Sequence, residues 1–181
     1  MGAQLRLAVL GGGYWGRNLI RNFAVLAGVE VKLLCELNED ASSECKKLYP
    51  SLETCTDHGR IFQDNEVDGV VIVTPPSLHY QPAKEALTAG KHTFVEKPMA
   101  MSYQEGKELV ALADKKGKVL FVDETFLYDP ALKVIKEMLD GEAIGTVHHI
   151  LMERLGMGRV RCDSNVWWNS APHDLSILRF L

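Results

Sequence analysis

The stretch that decides the fold is Leu5-Arg-Leu-Ala-Val-Leu-Gly-Gly-Gly-Tyr-Trp-Gly16. Six mostly apolar residues are followed at once by three glycines, which predicts a buried strand that ends in a tight turn. After Gly16, apolar residues recur among polar ones at helical spacing as far as residue 26. Gly11, Gly13 and Gly16 therefore fit the spacing G-x-G-x-x-G between a strand and a helix, a pattern typical of dinucleotide-binding sites.

Each glycine of this loop has a different structural role. Gly11 allows the sharp turn, Gly13 lets the backbone approach a pyrophosphate, and Gly16 permits close packing of the helix on the strand. The start of the helix, at Tyr14 and Trp15, offers unpaired N–H groups and a positive dipole to phosphates. We therefore predict that all five residues bind the cofactor. A glycine-rich turn without a ligand is the alternative.

Glu36 is the residue from which we predict whether NAD or NADP binds. It follows the predicted strand Val29–Cys35 and stands 20 residues after Gly16, where a carboxylate accepts hydrogen bonds from an adenosine ribose. An acidic group here repels a 2′-phosphate, so the sequence predicts NAD in preference to NADP. Arg17 and Asn38 are close in sequence and could weaken that preference.

Strands alternate with helices through the first two thirds of the chain. Near-continuous apolar strands such as VVIV indicate a parallel sheet that is covered on both faces. Residues 1–123 are therefore predicted to form a doubly wound parallel α/β sheet. Besides the elements above, the predicted strands cover 67–74, 91–95 and 119–123, and the predicted helices cover 41–48, 79–89 and 102–116, the last with Ser102 and Glu105 as a capping box.

Residues 124–181 are predicted to begin a second α/β domain. An amphipathic helix over 129–139 and an alternating strand over 146–155 are followed by a helix over 172–181. The last helix carries too many apolar residues to bury on one face. We therefore expect this domain to be incomplete and the chain to associate with copies of itself as a homo-oligomer.

Composition excludes several classes of function. The 181 residues carry 20 basic and 24 acidic side chains, and the net charge of −4 is unfavourable for a general nucleic-acid or anionic-membrane binder. No apolar run approaches the ~20 residues needed to cross a bilayer, and the first residues lack a signal-peptide core. The cysteines show no C-x-x-C or zinc spacing, which predicts reduced thiols, no metal site and a cytoplasmic protein. They are Cys35, Cys45, Cys55 and Cys162.

Candidate site residues follow the later predicted strands, at the sheet edge where doubly wound folds bind ligands. The rigid turn Thr74-Pro75-Pro76 would shape the wall beside a nicotinamide. Lys97, after Glu96, can donate to a substrate hydroxyl and stabilise a developing alkoxide. His173, at a predicted helix start beside the acidic Asp174, could accept the hydroxyl proton. Taken alone, the turn residues and Lys97 are equally compatible with a structural role, and a lone histidine such as His173 is more often structural.

Four segments together resemble the glucose–fructose oxidoreductase/inositol dehydrogenase (Gfo/Idh/MocA) family: GGGYWGRN, DGVVIVTPPSLHY, FVEKPMA and FLYDPALKVIKEMLDGEAIG. The resemblance implies a Rossmann-type NAD-dependent oxidoreductase whose second α/β domain shapes the substrate site and mediates oligomerisation. It also implies catalytic roles for Lys97 and His173. Within these motifs we count His79, Glu96 and Lys97 among the cofactor-binding residues.

The stretch 154–178 resembles a subgroup that oxidises the 3-hydroxyl of nucleotide-linked amino-sugar uronates, such as UDP-N-acetyl-amino-sugar uronates. That subgroup carries an aspartate four residues before the histidine, where this chain has Asn169. Asparagine can orient a neighbour but cannot hold charge. The resemblance therefore predicts a sugar or nucleotide-sugar 3-dehydrogenase with Asn169 in the catalytic group. A non-catalytic NAD-binding module, acting as a sensor or assembly part, is the alternative.

Overall fold

The computed structural model describes residues 4–155 and 165–181. The chain divides into two compact units, of which the first ends at Val122 and the second runs from Asp123 to Leu181. This boundary falls one residue away from the one placed after residue 123 by the strand and helix pattern. Cys162 lies outside the described residues, as does most of the segment between residues 154 and 165 used for the subgroup resemblance.

The first unit is built on a six-stranded sheet with the order β3-β2-β1-β4-β5-β6. The four pairings that join β3 through β5 are all parallel. The chain moves outward in one direction from β1 and then returns to start β4 on its other side, so the topological switch lies between β1 and β4. The strands are β1 (Leu5–Leu10), β2 (Val29–Cys35), β3 (Glu53–Cys55), β4 (Gly69–Ile72), β5 (His92–Glu96) and β6 (Leu120–Asp123).

Helices cover both faces of this sheet. Because side chains alternate along a strand, Ala8 and Leu10 enter one apolar cluster while Leu7 and Val9 enter the other. The first cluster packs against α3, α4 and α5, and the second against α1 and α2. The predicted doubly wound α/β fold is thereby confirmed. The helices are α1 (Tyr14–Ala24), α2 (Glu39–Leu48), α3 (Gly59–Gln63), α4 (Tyr80–Thr88) and α5 (Tyr103–Lys116), with a 3₁₀ turn at Pro76–Leu78.

Two short elements, β3 and α3, were absent from the sequence prediction. β3 is only three residues long and α3 only five, so neither repeats an apolar pattern often enough to be recognised. The predicted capping box differs from the observed one in only one of its two hydrogen bonds. The Ser102 hydroxyl accepts from the Glu105 N–H at 3.2 Å, while the Glu105 carboxylate accepts from the N–H of Met101, one residue earlier than predicted.

The second unit contains a 3₁₀ turn at Thr125–Tyr128 and two helices, α6 (Pro130–Asp140) and α7 (Val166–Phe180). Asp129 caps α6 by accepting from the Ala131 N–H, and Pro130 sits at the first helical position, where its missing N–H costs nothing. The helix α7 begins well before the predicted residue 172. Pro172 lies inside it, although a proline more often marks a helix start or end.

The predicted strand over residues 146–155 is wrong. These residues have no regular secondary structure and are almost all exposed. A strand needs a neighbour to pair its backbone N–H and C=O groups, and the described part of the second unit, residues 123–155 and 165–181, supplies no other strand beyond the last residue of β6. Among the helices in the described ranges, none is long and apolar enough to span a bilayer.

Candidate active site

The glycine loop lies where β1 and β4 end side by side. Gly11 has a φ of +105°, and a Cβ at this position would stand 2.7 Å from the carbonyl oxygen of Val73. The Val73 N–H donates to the Leu10 carbonyl at 2.8 Å, which holds the two strand ends together. A side chain at residue 11 would therefore both strain the backbone and separate these strands.

Gly16 and Gly13 differ sharply in their surroundings. A Cβ on Gly16 would lie 2.0 Å from the carbonyl oxygen of Gly11, so this glycine lets α1 pack directly on the turn. A Cβ on Gly13 would meet no heavy atom within 4 Å. The fold itself requires Gly11 and Gly16, whereas the open side of Gly13 leaves room for a ligand to approach the backbone.

The N-terminus of α1 is suited to an anion. Gly13 is the N-cap residue of this helix and has no side chain that could cap it. Within the described residues, the first turn of α1 contains no acidic residue. Its first N–H groups therefore depend on water or a ligand for hydrogen bonds. Tyr14 and Trp15 begin the helix, are exposed, and stack with ring centroids 6.1 Å apart.

Glu36 reaches back to the glycine loop from the end of β2. Its Oε2 accepts from the Gly12 N–H at 2.5 Å and its Oε1 accepts from the Asn38 N–H at 2.7 Å. The two bonds fix the carboxylate beside the loop while leaving further lone pairs for ribose hydroxyls. Of the residues that could weaken the preference for NAD, Arg17 forms an ion pair with Glu44.

The turn after β4 is fixed by its own hydrogen bonds. The Thr74 hydroxyl donates to the Leu78 carbonyl at 3.2 Å, and Pro76 is buried at the start of the 3₁₀ turn, after Pro75. His79 is only 1% exposed. Its Nδ1 lies 2.7 Å from the carbonyl oxygen of Pro98, and its Nε2 lies 2.8 Å from that of Thr74.

Glu96 and Lys97 end the neighbouring strand β5. Glu96 is buried, and its Oε2 accepts from the Lys97 backbone N–H at 3.1 Å. The Lys97 side chain is half-buried, and the peptide bond that joins it to Pro98 is cis. Because β4 and β5 are paired, the segments after them leave the same edge of the sheet.

In the second unit, His173 lies on α7 and is buried. Its Nδ1 stands 3.7 Å from Glu124 Oε2, and its ring packs edge-on against Phe126 with centroids 4.6 Å apart. The sequence suggested Asp174 as the acidic neighbour, but Asp174 forms an ion pair with Arg154 at 2.7 Å. Glu124 was not singled out for this role. Its place directly after β6, at the carboxyl edge of the sheet, was the available signal.

Asn169 stands on α7 one helical turn before His173. Residues four apart lie on the same helix face, so Asn169 can orient the imidazole or a ligand beside it. The described residues thus group the predicted positions in two sets. The glycine loop, Glu36, the turn after β4 and Lys97 belong to the first unit, whereas Asn169 and His173 belong to the second. No group of three metal-ligating side chains is found among residues 4–155 and 165–181.

Comparison with known proteins agrees with this geometry. Residues 5–124 match the model of the Gfo/Idh/MocA oxidoreductase family, described as having an NAD-binding Rossmann fold. The chain belongs to this family. Its first unit is accordingly an NAD(P)-binding Rossmann unit, and both the family resemblance and the cofactor class read from the glycine loop are confirmed. The nucleotide-sugar subgroup stays a prediction.

Individual relatives span more than this chain. The oxidoreductase YrbE of Bacillus subtilis is 25% identical over 186 residues, which is 100% of this chain and 54% of YrbE. The structure of GenD2 from gentamicin A biosynthesis in complex with NAD is 27% identical, with a TM-score of 0.77 over 82% of this chain and 42% of that one. The structure of KijD10, a 3-ketoreductase from Actinomadura kijaniata in complex with NADP, is 25% identical, with a TM-score of 0.72 over 78% and 45%. The chain thus spans about half the length of these relatives.

Proposed function

We propose that this chain binds NAD and takes part in hydride transfer from a ring hydroxyl carbon of a sugar or nucleotide sugar, acting as a 3-dehydrogenase. The observation that carries the cofactor part is the open side of Gly13, between the uncapped start of α1 and the carboxylate of Glu36. The name of KijD10, a 3-ketoreductase, supports a reaction that interconverts a 3-hydroxyl and a 3-keto group, and the sugar class rests on the family resemblance.

In this proposal the cofactor lies along the carboxyl edge of the sheet. The pyrophosphate takes the N–H groups at the start of α1, and the ribose hydroxyls donate to Glu36. The wall beside the nicotinamide is the rigid turn after β4, next to the end of β5. The residues proposed for cofactor binding are Gly11, Gly13, Tyr14, Trp15, Gly16, Glu36, Thr74, Pro75, Pro76, His79, Glu96 and Lys97.

NAD is preferred to NADP because Glu36 is held as a hydrogen-bond acceptor by two backbone N–H groups. A 2′-phosphate would bring a second negative charge against this fixed carboxylate. Arg17, which is close in sequence and could offset that charge, is paired with Glu44. A strongly reduced affinity for NADP follows.

The chemistry needs a proton acceptor and a group that stabilises charge on oxygen. NAD, when bound, supplies the hydride acceptor. Lys97 donates to the substrate hydroxyl and stabilises the alkoxide that develops as the proton leaves. His173 takes that proton at Nε2, while Glu124, on the Nδ1 side at 3.7 Å, favours the positively charged ring. Asn169 orients this group from the preceding helical turn.

Calorimetric titration tests the cofactor proposal. We expect NADH to bind more tightly than NADPH, and equal or reversed affinities would contradict the role of Glu36. Gly13→Ala should weaken NADH binding at least about tenfold, because the added methyl fills the approach to the pyrophosphate, yet leave the unfolding midpoint unchanged. The matched control is Gly106→Ala on α5, where the new methyl meets only the flexible end of Met99 and NADH affinity should not change.

Turnover tests the reaction. The purified chain is incubated with NAD and a panel of UDP-sugars, uronates and polyols, and NADH absorbance is followed. Lys97→Ala should lower turnover at least about tenfold, since one donor to a developing oxyanion is typically worth ~2.7–4 kcal/mol. Product formation that is unaffected by this substitution would remove Lys97 from the mechanism.

A non-catalytic NAD-binding module is the second candidate, and Asn169 is the observation that favours it. Where the resemblance predicts an aspartate, residue 169 is an amide, which cannot hold charge. NADH binding with no turnover on any substrate of the panel would select this function. The described cysteines Cys35, Cys45 and Cys55 are free, which supports a reducing, cytoplasmic location for either candidate.

A further inference from the structure

His79 does more than fill the core behind the cofactor turn. We propose that it is a positioning residue, which donates hydrogen bonds from both ring nitrogens and so clamps the Lys97–Pro98 segment to the turn at Thr74. The consequence for turnover rests on the proposed function of Lys97, whereas the clamp itself does not. The expectation that His79 belongs to the cofactor-binding residues stays a prediction beside this role.

The two hydrogen bonds determine the protonation of the ring. The partners are the carbonyl oxygens of Pro98, at 2.7 Å from Nδ1, and of Thr74, at 2.8 Å from Nε2. A carbonyl oxygen only accepts, and a neutral imidazole has a single N–H. With one bare nitrogen, one of these contacts would place two lone pairs against each other. Both distances are satisfied together only when both nitrogens carry a proton.

The clamp joins the two segments that shape the reacting end of the site. Thr74 follows β4 and Pro98 follows β5, and the Pro98 carbonyl lies one residue beyond Lys97. His79 is only 1% exposed, and its contact with the Pro98 carbonyl is buried while that with the Thr74 carbonyl is part-buried. The Thr74 side is anchored in turn by its hydroxyl bond to Leu78. A rigid ring between two anchored carbonyls therefore fixes where the backbone of Lys97 leaves the sheet.

The other histidine on this part of the sheet provides an internal reference. His92, the first residue of β5, accepts the Val119 N–H at Nδ1 over 3.1 Å. Accepting a hydrogen bond requires a bare nitrogen, so His92 must be neutral. His79 and His92, both in the first unit, are thus expected to differ in the protonation of Nδ1 under the same conditions.

Nitrogen NMR of the full chain labelled with ¹⁵N-histidine tests the clamp without any need for turnover. Signals are assigned by their loss in His79→Gln and His92→Gln. At neutral pH we expect two protonated nitrogens for His79 and a bare Nδ1 for His92. A bare nitrogen in the His79 ring would overturn the two-bond clamp, whether or not the protein is an active dehydrogenase.

Kinetics test whether the clamp acts through Lys97. His79→Gln keeps one amide donor and loses the second bond, so kcat should fall about tenfold or more through misplacement, with KM for the substrate little changed. In a Lys97→Ala background the same substitution should have no further effect. Independent, multiplying effects would overturn the assignment. Absence of turnover in the unsubstituted chain would contradict the proposed function and leave the NMR result to decide the clamp.

Discussion

The two units of this chain differ in how far their apolar side chains are buried. In the first, the strand residues alternate between two clusters, and helices close both, so that Ile72 and Leu34 are fully buried. In the second, apolar side chains on both helices and along residues 144–155 remain exposed, Trp167 and Leu151 among them. A parallel sheet offers two faces that helices can cover. The described part of the second unit consists of helices and irregular segments, which offer no such pair of faces.

Because of this difference, we expect apolar side chains to stabilise the first unit and to be available for binding in the second. The first unit encloses its own core and presents a ligand site at its strand ends. The second presents apolar surface of the kind that is buried against another polypeptide. Substitutions of the same type should therefore have different consequences in the two units.

Matched isoleucines give the largest contrast. Ile72 in β4 is 0% exposed and Ile135 in α6 is 40% exposed. Ile72→Ala should lower the free energy of unfolding by about 2–5 kcal/mol, through lost burial and a cavity. Ile135→Ala should lower it by less than about 1 kcal/mol, because much of that side chain already contacts water. Urea denaturation followed by circular dichroism measures both. Similar losses would show that the second unit is as tightly packed as the first.

Self-association should depend on the second unit. We propose that the chain forms homo-oligomers through its exposed apolar residues, so Leu175→Lys on α7 should weaken association. A leucine buried at an interface contributes roughly 1.5–3 kcal/mol. Leu48→Lys on α2, an exposed leucine of the first unit, is the control and should have no effect. Light scattering across a concentration series measures the change, and a monomeric unsubstituted chain would rule the proposal out.

The acidic neighbours of His173 provide a third test. Glu124→Gln removes the carboxylate 3.7 Å from Nδ1 and should reduce kcat about tenfold, or roughly 1.4 kcal/mol, because the charged ring loses its partner. Asp174→Asn removes the carboxylate adjacent in sequence, which pairs with Arg154 instead, and should leave kcat unchanged. If the two variants behaved in the reverse order, the neighbour read from the sequence would be the functional one.

Ion pairs should give the smallest effect. In the first unit, a hydrogen bond from Lys32 at 2.7 Å holds the pKa of the Asp64 carboxyl below its usual value of 3.8. Asp64→Asn should destabilise the protein by about 1 kcal/mol at neutral pH. Asp140→Asn, which breaks an exposed pair with Lys136 on α6, should cost less than about 0.5 kcal/mol.

The pH dependence of the Asp64 effect has a defined sign. The pKa of Asp64 is lower in the folded chain than in the unfolded chain, so its contribution is complete above the unfolded value. It is lost as pH falls through the folded pKa. The gap in unfolding free energy between the unsubstituted chain and Asp64→Asn should therefore close below pH 3.8. A gap that persisted in acid would assign the effect to packing and not to charge.

The sequence alone determined the architecture of the first unit. The bounds of β1 and β2, the order of the main strands and helices, and the glycine loop at the end of β1 all followed from local patterns. Periodicity and turn residues act over a few neighbouring positions, and a doubly wound sheet repeats them many times. The short β3 and α3 were not predicted because neither is long enough to repeat an apolar pattern.

Only the tertiary structure decided the contacts between distant residues. It pairs His173 with Glu124, 49 positions away, and gives Asp174 to Arg154. It places His79 between two backbone carbonyls and, within residues 4–155 and 165–181, brings no strand beside residues 146–155. Local patterns record which residues can form an element. The partner of a side chain or of a strand edge is set by what the folded chain brings beside it, which no local pattern contains.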